Sequence, residues 1–267
     1  ASCLVGSEMC IRDREMIFQP QNACLVMTGN FSDGMELAAI EALSELRNTT
    51  AQPPFTQSLP IGFCMRDEQS DLLEEVESDF ASVQLAFDVD SEQVYPVAAE
   101  VLSTITAGND DSMLFQALRE EQALVAEIES QISRVGQFSR LVIRYDVRSE
   151  WLKDTLTKVF AYLHRLTMYV RPARLNQLRT QFTTNNAMLT DDTAALNDRL
   201  GWAWMSGDTA QADLDAAAAQ YNELTAEELL DAAQTVFRPE NLSIAVQYDP
   251  EAVGDLRPML QKLRETL

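Results

Sequence analysis

An arginine at the end of a short predicted helix is the residue whose position best suits chemistry. Asp111 or Ser112 can cap this helix, and Arg119 comes at its far end, just before a predicted strand. A helix that leads directly into a strand holds a long cationic side chain at a rigid corner, where it can donate hydrogen bonds to a ligand. Composition leaves a structural alternative open, in which Arg119 pairs with Glu120, Glu121 or the carboxyl end of the helix.

Few other residues have the type and spacing that catalysis or metal binding needs. His164 is the only histidine, and its apolar neighbours at helical spacing favour a place on a helix surface over a metal ligand. The cysteines contain no Cys-x-x-Cys pair and predict neither a zinc site nor a disulfide framework. The acidic residues spread over 66–79 are too diffuse for a metal site and predict a solvated connector or a strand edge.

The charge of the chain argues against two classes of partner. Its 267 residues include 42 acidic and 20 basic ones, which gives a formal net charge of -22. Nucleic acid and acidic membrane surfaces repel such a chain, so we expect neither as a partner. No apolar run approaches the roughly 20 residues that span a bilayer.

Hydrophobic periodicity predicts an α+β fold. The order is strand and helix, a linker, then a strand, two helices, two strands, several helices and a last strand. This order is typical of a two-layer sandwich in which helices pack on one face of a mixed or antiparallel sheet. The predicted strands lie near residues 22–29, 82–89, 125–133, 139–147 and 242–248. The first helix, 34–46, has an apolar side that predicts burial: Leu37, Ile40, Ala42, Leu43 and Leu46.

Three local motifs resemble the pitrilysin/insulinase family of zinc metallopeptidases, which includes the mitochondrial processing peptidases. Residues 20–31 are similar to the segment that closes one half of a family protein, and Pro239-Glu240-Asn241 before a strand is similar to its counterpart in the next half. Between these two segments lies the third motif, a sequence typical of the family halves. It is matched here by Ser112, Leu114, Phe115, Leu118, Arg119, Glu120 and Leu124. The resemblance covers about Glu15 to Pro250 and implies a LuxS/mitochondrial processing peptidase-like metallohydrolase fold.

The resemblance also implies a division of the chain. Residues 15–49 would be the last strand and helix of a truncated N-terminal peptidase domain, and residues 50–79 a linker. Residues 80–250 would form the C-terminal domain of the family, followed by a terminal helix over 251–267. Residues 1–14 fit no element and are interpreted as a non-native leader. The expected compartment is the periplasm or cytoplasm of a bacterium.

The metal chemistry of the family is expected outside this chain. Family members hold zinc through an inverted His-x-x-Glu-His motif on a helix of the N-terminal half, whose glutamate activates the attacking water. A chain with one histidine has no such motif. The resemblance therefore implies a chain that binds no metal and is inactive by itself, with zinc in a missing N-terminal half or a partner subunit. An extended peptide substrate would lie between the two halves.

The resemblance assigns one substrate contact to this chain. An arginine and a tyrosine of the C-terminal half form an electrophilic clamp on the scissile carbonyl in the family. Arg119 matches the arginine, whereas Ala126 stands at the tyrosine and Ala123 at the usual glycine. The sequence leaves open whether Tyr145, on the neighbouring strand, replaces the missing phenol.

Three functional hypotheses remain after this step. The first is the non-catalytic C-terminal half of a pitrilysin-type zinc endopeptidase, which closes a chamber around peptides. The second is an inactive family member that acts as a binding or assembly subunit for a catalytic partner. The third is an α+β binding module of another lineage.

Overall fold

The structure, a computed structural model, describes residues 20, 23–44, 71–135, 138–206 and 213–267. The chain divides into a small unit, Ala1–Pro60 with Thr183–Ala219, and a large unit, Ile61–Phe182 with Gln220–Leu267. The predictions for the leader and for residues 50–70 of the linker lie outside the described residues. None of the helices within the described ranges combines the length and apolar character that a bilayer crossing requires.

The large unit contains a mixed sheet. Its described strands are β1 (Asp71–Glu75), β2 (Phe80–Asp90), β3 (Val125–Val135), β4 (Phe138–Arg148) and β5 (Leu242–Tyr248). They lie in the order β1-β5-β2-β4-β3. The first pair, β1 and β5, is parallel, and the other neighbours are antiparallel. Among these strands β1 and β3 are therefore outermost.

Helices of both units lie before, between and after the strands along the chain. The described α-helices are α1 (Asp33–Ser44), α2 (Pro96–Ala107), α3 (Leu152–Met168), α4 (Pro172–Met188), α5 (Thr193–Ser206), α6 (Leu214–Glu223), α7 (Ala226–Val236), α8 (Pro250–Val253) and α9 (Arg257–Arg264). The start of α7 is a capping box. The Thr225 hydroxyl accepts from the Glu228 N–H at 3.1 Å, and the Thr225 N–H donates to the Glu228 carboxylate at 2.7 Å.

One face of the sheet is buried under helices. Alternate residues of three strands are at most 4% exposed because successive side chains of a strand point to opposite faces. These residues are Ala81, Val83, Leu85, Phe87, Val89, Leu141, Ile143, Tyr145, Val147, Leu242, Ile244, Val246 and Tyr248. Phe87 meets Phe237, at the end of α7, edge to face with ring centroids 5.0 Å apart. The predicted two-layer α+β architecture is confirmed.

The structure adds detail at two predicted boundaries of the large unit. The last part of the linker predicted over 50–79 forms β1, which pairs from Asp71 to Glu75 with β5, so the sheet begins before residue 80. The single helix predicted over 251–267 is two helices, α8 and α9. Gly254 separates them with a φ of 75°, a left-handed conformation that glycine adopts without steric strain.

The small unit differs from prediction in its first strand. Residues 23–28, predicted as a strand, have no strand pairing in the structure. Their backbone is instead hydrogen-bonded by side chains: the Asn197 amide donates to the Val26 carbonyl at 2.9 Å. The Thr28 hydroxyl in turn donates to the Thr193 carbonyl at 2.8 Å. A strand needs a neighbouring strand to satisfy its backbone, whereas α5 bonds one backbone group of this segment, the Val26 carbonyl, and the side chain of Thr28.

The predicted core side of α1 is also wrong. No residue of α1 is buried, and Leu37 and Ile40 are 60% and 55% exposed. The apolar spacing predicts burial only where another apolar surface is available. The described residues of the small unit do not supply that surface.

Candidate functional site

The corner between α2 and β3 holds Arg119 in a π-helical turn, Phe115–Glu120. The Glu121 N–H donates to the Gln116 carbonyl at 2.9 Å, a five-residue spacing that is wider than in an α-helix. Single π-turns of this kind are frequent at functional sites. The predicted side-chain cap at the start of this helix is not formed, because the buried Ser112 hydroxyl has no hydrogen-bond partner.

A left-handed residue closes this turn and starts β3. Ala123 has a φ of 50°, the only positive φ of a non-glycine residue in the described ranges. Its N–H donates to the Arg119 carbonyl at 3.1 Å, and the Leu124 N–H donates to the Leu118 carbonyl at 2.8 Å. Helices commonly end with a left-handed glycine in this position. The local geometry therefore agrees with the glycine that the family resemblance places at Ala123.

Arg119 is exposed and only weakly engaged. Its side chain is 44% exposed, and its Nε lies 3.9 Å from the Glu120 carboxylate, which is itself 54% exposed. The guanidinium also lies 4.7 Å from the centre of the Phe115 ring. An exposed ion pair of this length contributes little to stability, so the guanidinium remains available to an external acceptor. The interaction with Glu120 that composition left open is present.

The two tyrosine positions give different results. Ala126, which stands at the family tyrosine, is exposed on β3 and offers no hydrogen-bond donor in its side chain. Tyr145 is 4% exposed and belongs to the helix-covered face of the sheet. Its hydroxyl has no hydrogen-bond partner, and burial raises the pKa of this phenol. The structure therefore places the Tyr145 phenol under the helices of the covered face.

The other face of the sheet, here called the open face, carries polar side chains that bond across strands. The Ser82 hydroxyl donates to Asp146 at 2.6 Å. The Arg144 Nε donates to the Gln84 amide oxygen at 2.9 Å, and the Arg140 Nε donates to Asp88 at 2.8 Å. These polar pairs lie on both sides of Ala86 and Val142, which pair with each other on the same face and are buried. Such a surface suits a ligand that lies across the strands.

A shallow cavity of about 460 Å³ crosses the open face from β1 to β3. Its lining contains four carboxylates and one guanidinium: Glu74, Glu127, Glu129, Asp146 and Arg144. The single cation is 3.8 Å from Glu129, with both side chains about half exposed. The cavity is therefore net negative and favours a cationic ligand. No sequence motif indicates this set, because its members become neighbours only through the order of the strands.

The residues described here do not fit a zinc site. No group of three or more histidine, cysteine, aspartate or glutamate side chains within the described ranges is arranged to hold a metal ion. His164 is exposed on α3, as a helix-surface histidine, and Cys24 is an exposed free thiol. Zinc sites in proteins take at least three such ligands, so no step of chemistry is derived through a metal on this chain.

Solved structures share this fold at low sequence identity. A protease from Helicobacter pylori matches 91% of this chain over 59% of its own, with a TM-score of 0.78 and 14% identity. A peptidase M16 inactive domain from Pseudomonas fluorescens matches 83% of this chain over 52% of its own, with a TM-score of 0.64 and 18% identity. A chain of complex III2 from Candida albicans matches 89% over 57% of its own, with a TM-score of 0.65 and 13% identity.

The chain spans about half to three fifths of the length of these structures. No curated protein sequence matches it significantly. The family model described as the peptidase M16 inactive domain matches residues 14–182, more than half of the chain. That match and the shared fold confirm the resemblance to a pitrilysin-like, non-catalytic C-terminal domain. The chain therefore belongs to the peptidase M16 inactive-domain family.

Proposed function

We propose that this chain is the non-catalytic C-terminal half of a pitrilysin-type zinc endopeptidase, which closes a substrate chamber and contacts the peptide. The observation that carries the proposal is the acidic open face of the sheet, with Glu74 and Glu129 at its two sides, in a member of the inactive-domain family. By itself the chain hydrolyses nothing. The metal-bearing base of the chamber is a separate half or a partner subunit.

The division of labour follows from the side chains. Zinc, held by the partner half, supplies the activated water. This chain binds and orients the peptide and helps to exclude bulk water from the chamber. Residues 15–49 belong in this proposal to the end of the metal-bearing half, and residues 50–70 connect it to β1.

The open face suits an extended basic peptide. Within the described residues no strand pairs with the outer edge of β3, so its N–H and C=O groups are available for a strand of substrate. Glu127 and Glu129, near the start of the same strand, line the acidic cavity. Basic side chains of a peptide placed along β3 therefore meet carboxylates while its backbone pairs with the edge.

Arg119 is proposed as the carbonyl clamp of this half. Its position at a π-helical turn, held by the stacking contact with Phe115, keeps the guanidinium near one place without neutralising it. A charge-assisted hydrogen bond to a carbonyl oxygen contributes about 1.5–3 kcal/mol. Because Ala126 contributes no phenol, the clamp has one donor instead of two.

The test is reconstitution. The chain is mixed with a separately produced N-terminal half of this family that carries the His-x-x-Glu-His motif and comes from the same organism. Cleavage of an unfolded basic peptide is then measured for each component and for the mixture. We expect cleavage by the mixture and none by this chain with added zinc.

Arg119→Ala tests the role of the carbonyl clamp in the same assay. We expect turnover to fall by about 10²-fold, the usual effect of removing one oxyanion-type donor, at an unchanged thermal midpoint. Arg257→Ala, which removes another exposed arginine, on α9, is the control and should leave turnover unchanged. Hydrolysis by the isolated chain, or equal turnover of the two variants, would contradict the proposed roles.

The second hypothesis, a binding or assembly subunit, has one observation in its favour. The exposed Ala126 and the buried Tyr145 hydroxyl leave the open face without the family phenol. An assembly subunit would bind the catalytic partner in the reconstitution assay, but Arg119→Ala would then leave turnover unchanged.

A further inference from the structure

A second cavity lies among helices of the large unit, away from the open face of the sheet. Its volume is about 670 Å³, and it is lined by the end of α2, the turn before β3, the end of α3 and the start of α4. This volume is within the range of small-molecule sites, roughly 300–1,000 Å³. None of the residues proposed above for peptide binding lines this cavity.

The cavity has an apolar floor and aromatic walls. Ile105, Leu166 and Val170 are buried residues of its lining. Tyr162 is half-buried and Tyr169 is 60% exposed, so their rings stand at the entrance. Apolar and aromatic linings bind the hydrocarbon part of a ligand.

Three arginines also line the cavity, in a chain with twice as many acidic as basic residues. Arg174 is already engaged, since it donates to Asn109 at 3.1 Å and lies 3.8 Å from Asp111. Arg165 and Arg171 are exposed, and neither pairs with a carboxylate in the described part of the chain. Arg165 lies 5.4 Å from the centre of the Tyr162 ring.

A buried polar atom adds a second, independent indication of a ligand. Ser112 lines the cavity, is 0% exposed, and its hydroxyl has no hydrogen-bond partner. An unsatisfied buried hydroxyl is unfavourable, and an acceptor atom in the cavity would satisfy it. Asp111 and Glu121 also line the cavity, and Asp111 is occupied by Arg174 and Gln177.

We propose that this cavity binds a small amphipathic anion, an apolar chain or ring system with one carboxylate or phosphate. The apolar part lies on Leu166 and Val170, and the anionic group meets Arg165 and Arg171 beside the amino-terminal end of the 17-residue α4. The positive end of that helix favours the same sign of charge. A wholly apolar ligand would leave both cations without a partner, and an inorganic anion would leave the apolar floor uncovered.

Decanoate and decanol separate these possibilities, because they share the hydrocarbon chain and differ in charge. Their binding to the full 267-residue chain is measured by titration calorimetry below the micellar concentration of decanoate. We expect decanoate to bind at least tenfold more tightly than decanol, and inorganic phosphate to bind more weakly than decanoate. Tight binding of decanol, or of phosphate alone, would overturn the proposal.

A pair of matched variants locates the site. Arg165→Gln with Arg171→Gln should weaken decanoate binding about tenfold, while Arg238→Gln with Arg257→Gln removes the same charge outside the cavity and should leave it unchanged. All four side chains are exposed, so the thermal midpoints should agree. Equal affinities of the two double variants would show that decanoate binds elsewhere and would overturn the assignment.

Discussion

On the covered face of the sheet, Leu85, Phe87 and Ile143 are fully buried, whereas on the open face their neighbours Gln84 and Arg144 bond to each other in water. The same strands supply both sets, because the side-chain period of a strand is two. One face therefore carries the apolar burial that stabilises the large unit. The other carries charge that the fold does not need.

This difference separates stability from recognition. Burial of apolar area is the dominant favourable contribution to folding, whereas exposed ion pairs contribute about 0–1 kcal/mol. Substitutions on the covered face should therefore change the free energy of unfolding. Substitutions on the open face should change ligand binding at nearly constant stability.

The largest expected effect is that of Phe87→Ala on the covered face. The ring is 0% exposed and packs against Phe237, so its removal leaves a cavity that the sheet cannot close. We expect a loss of about 3–5 kcal/mol in the free energy of unfolding, measured by urea denaturation. Gln84→Ala, on the open face of the same strand, is the control and should change it by less than about 0.5 kcal/mol. Similar losses in the free energy of unfolding for Phe87→Ala and Gln84→Ala would contradict the assignment of stability to the covered face.

The second prediction concerns Tyr145, whose buried hydroxyl has no hydrogen-bond partner. Tyr145→Phe removes a buried hydroxyl without a hydrogen bond, so we expect stability at pH 7 to be unchanged or higher by about 1 kcal/mol. A loss of more than 1 kcal/mol would indicate that the hydroxyl is bonded in solution.

The same residue predicts a dependence on pH. Burial raises the pKa of Tyr145 in the folded chain above its unfolded value of about 10. Its contribution to stability is therefore fully present below pH 10 and is lost as the pH rises further. Between pH 10 and 11, wild type should lose up to about 1.4 kcal/mol more than Tyr145→Phe. Parallel alkaline denaturation curves would contradict this.

A small effect on stability is expected for Arg140→Gln, which removes an exposed ion pair of the open face. Arg140 donates to Asp88 at 2.8 Å, but its side chain is 44% exposed. Solvent screening limits the loss to about 1 kcal/mol or less in urea denaturation. A loss comparable to that of Phe87→Ala would mean that the open face is covered in solution.

Most of the large unit follows from sequence patterns, because its strands are long and alternate regularly. In β4 the strand period of two puts Leu141, Ile143, Tyr145 and Val147 on one face, and the structure buries all four. For the short strand β1 the sequence left a connector and a strand edge as alternatives, because three of its five residues are acidic and its pairing partner, β5, lies about 170 residues away. For α1 the apolar side predicted burial that the structure does not show. An apolar pattern indicates that a surface can be buried, but it does not identify the surface that would cover it.

Only those parts of the candidate site whose residues are close together in the sequence could be predicted. Arg119 and the glycine-like position at Ala123 are sequence neighbours of one turn, so a motif identifies them. The π-helical form of that turn has no sequence signal that we recognise. Glu74, Glu129 and Asp146 meet through the strand order β1-β5-β2-β4-β3, which depends on long-range pairing.

The central claim, that the open face receives the peptide, is tested most directly by fluorescence anisotropy with a labelled, unstructured basic peptide. Glu74→Gln with Glu129→Gln removes two carboxylates of the open face, and Glu223→Gln with Glu265→Gln removes two exposed carboxylates outside its cavity. We predict about fivefold weaker binding for the first variant, from about 0.5 kcal/mol per lost contact, and unchanged binding for the second. Equal weakening in both would show that the peptide responds to the net charge of -22 and not to this face.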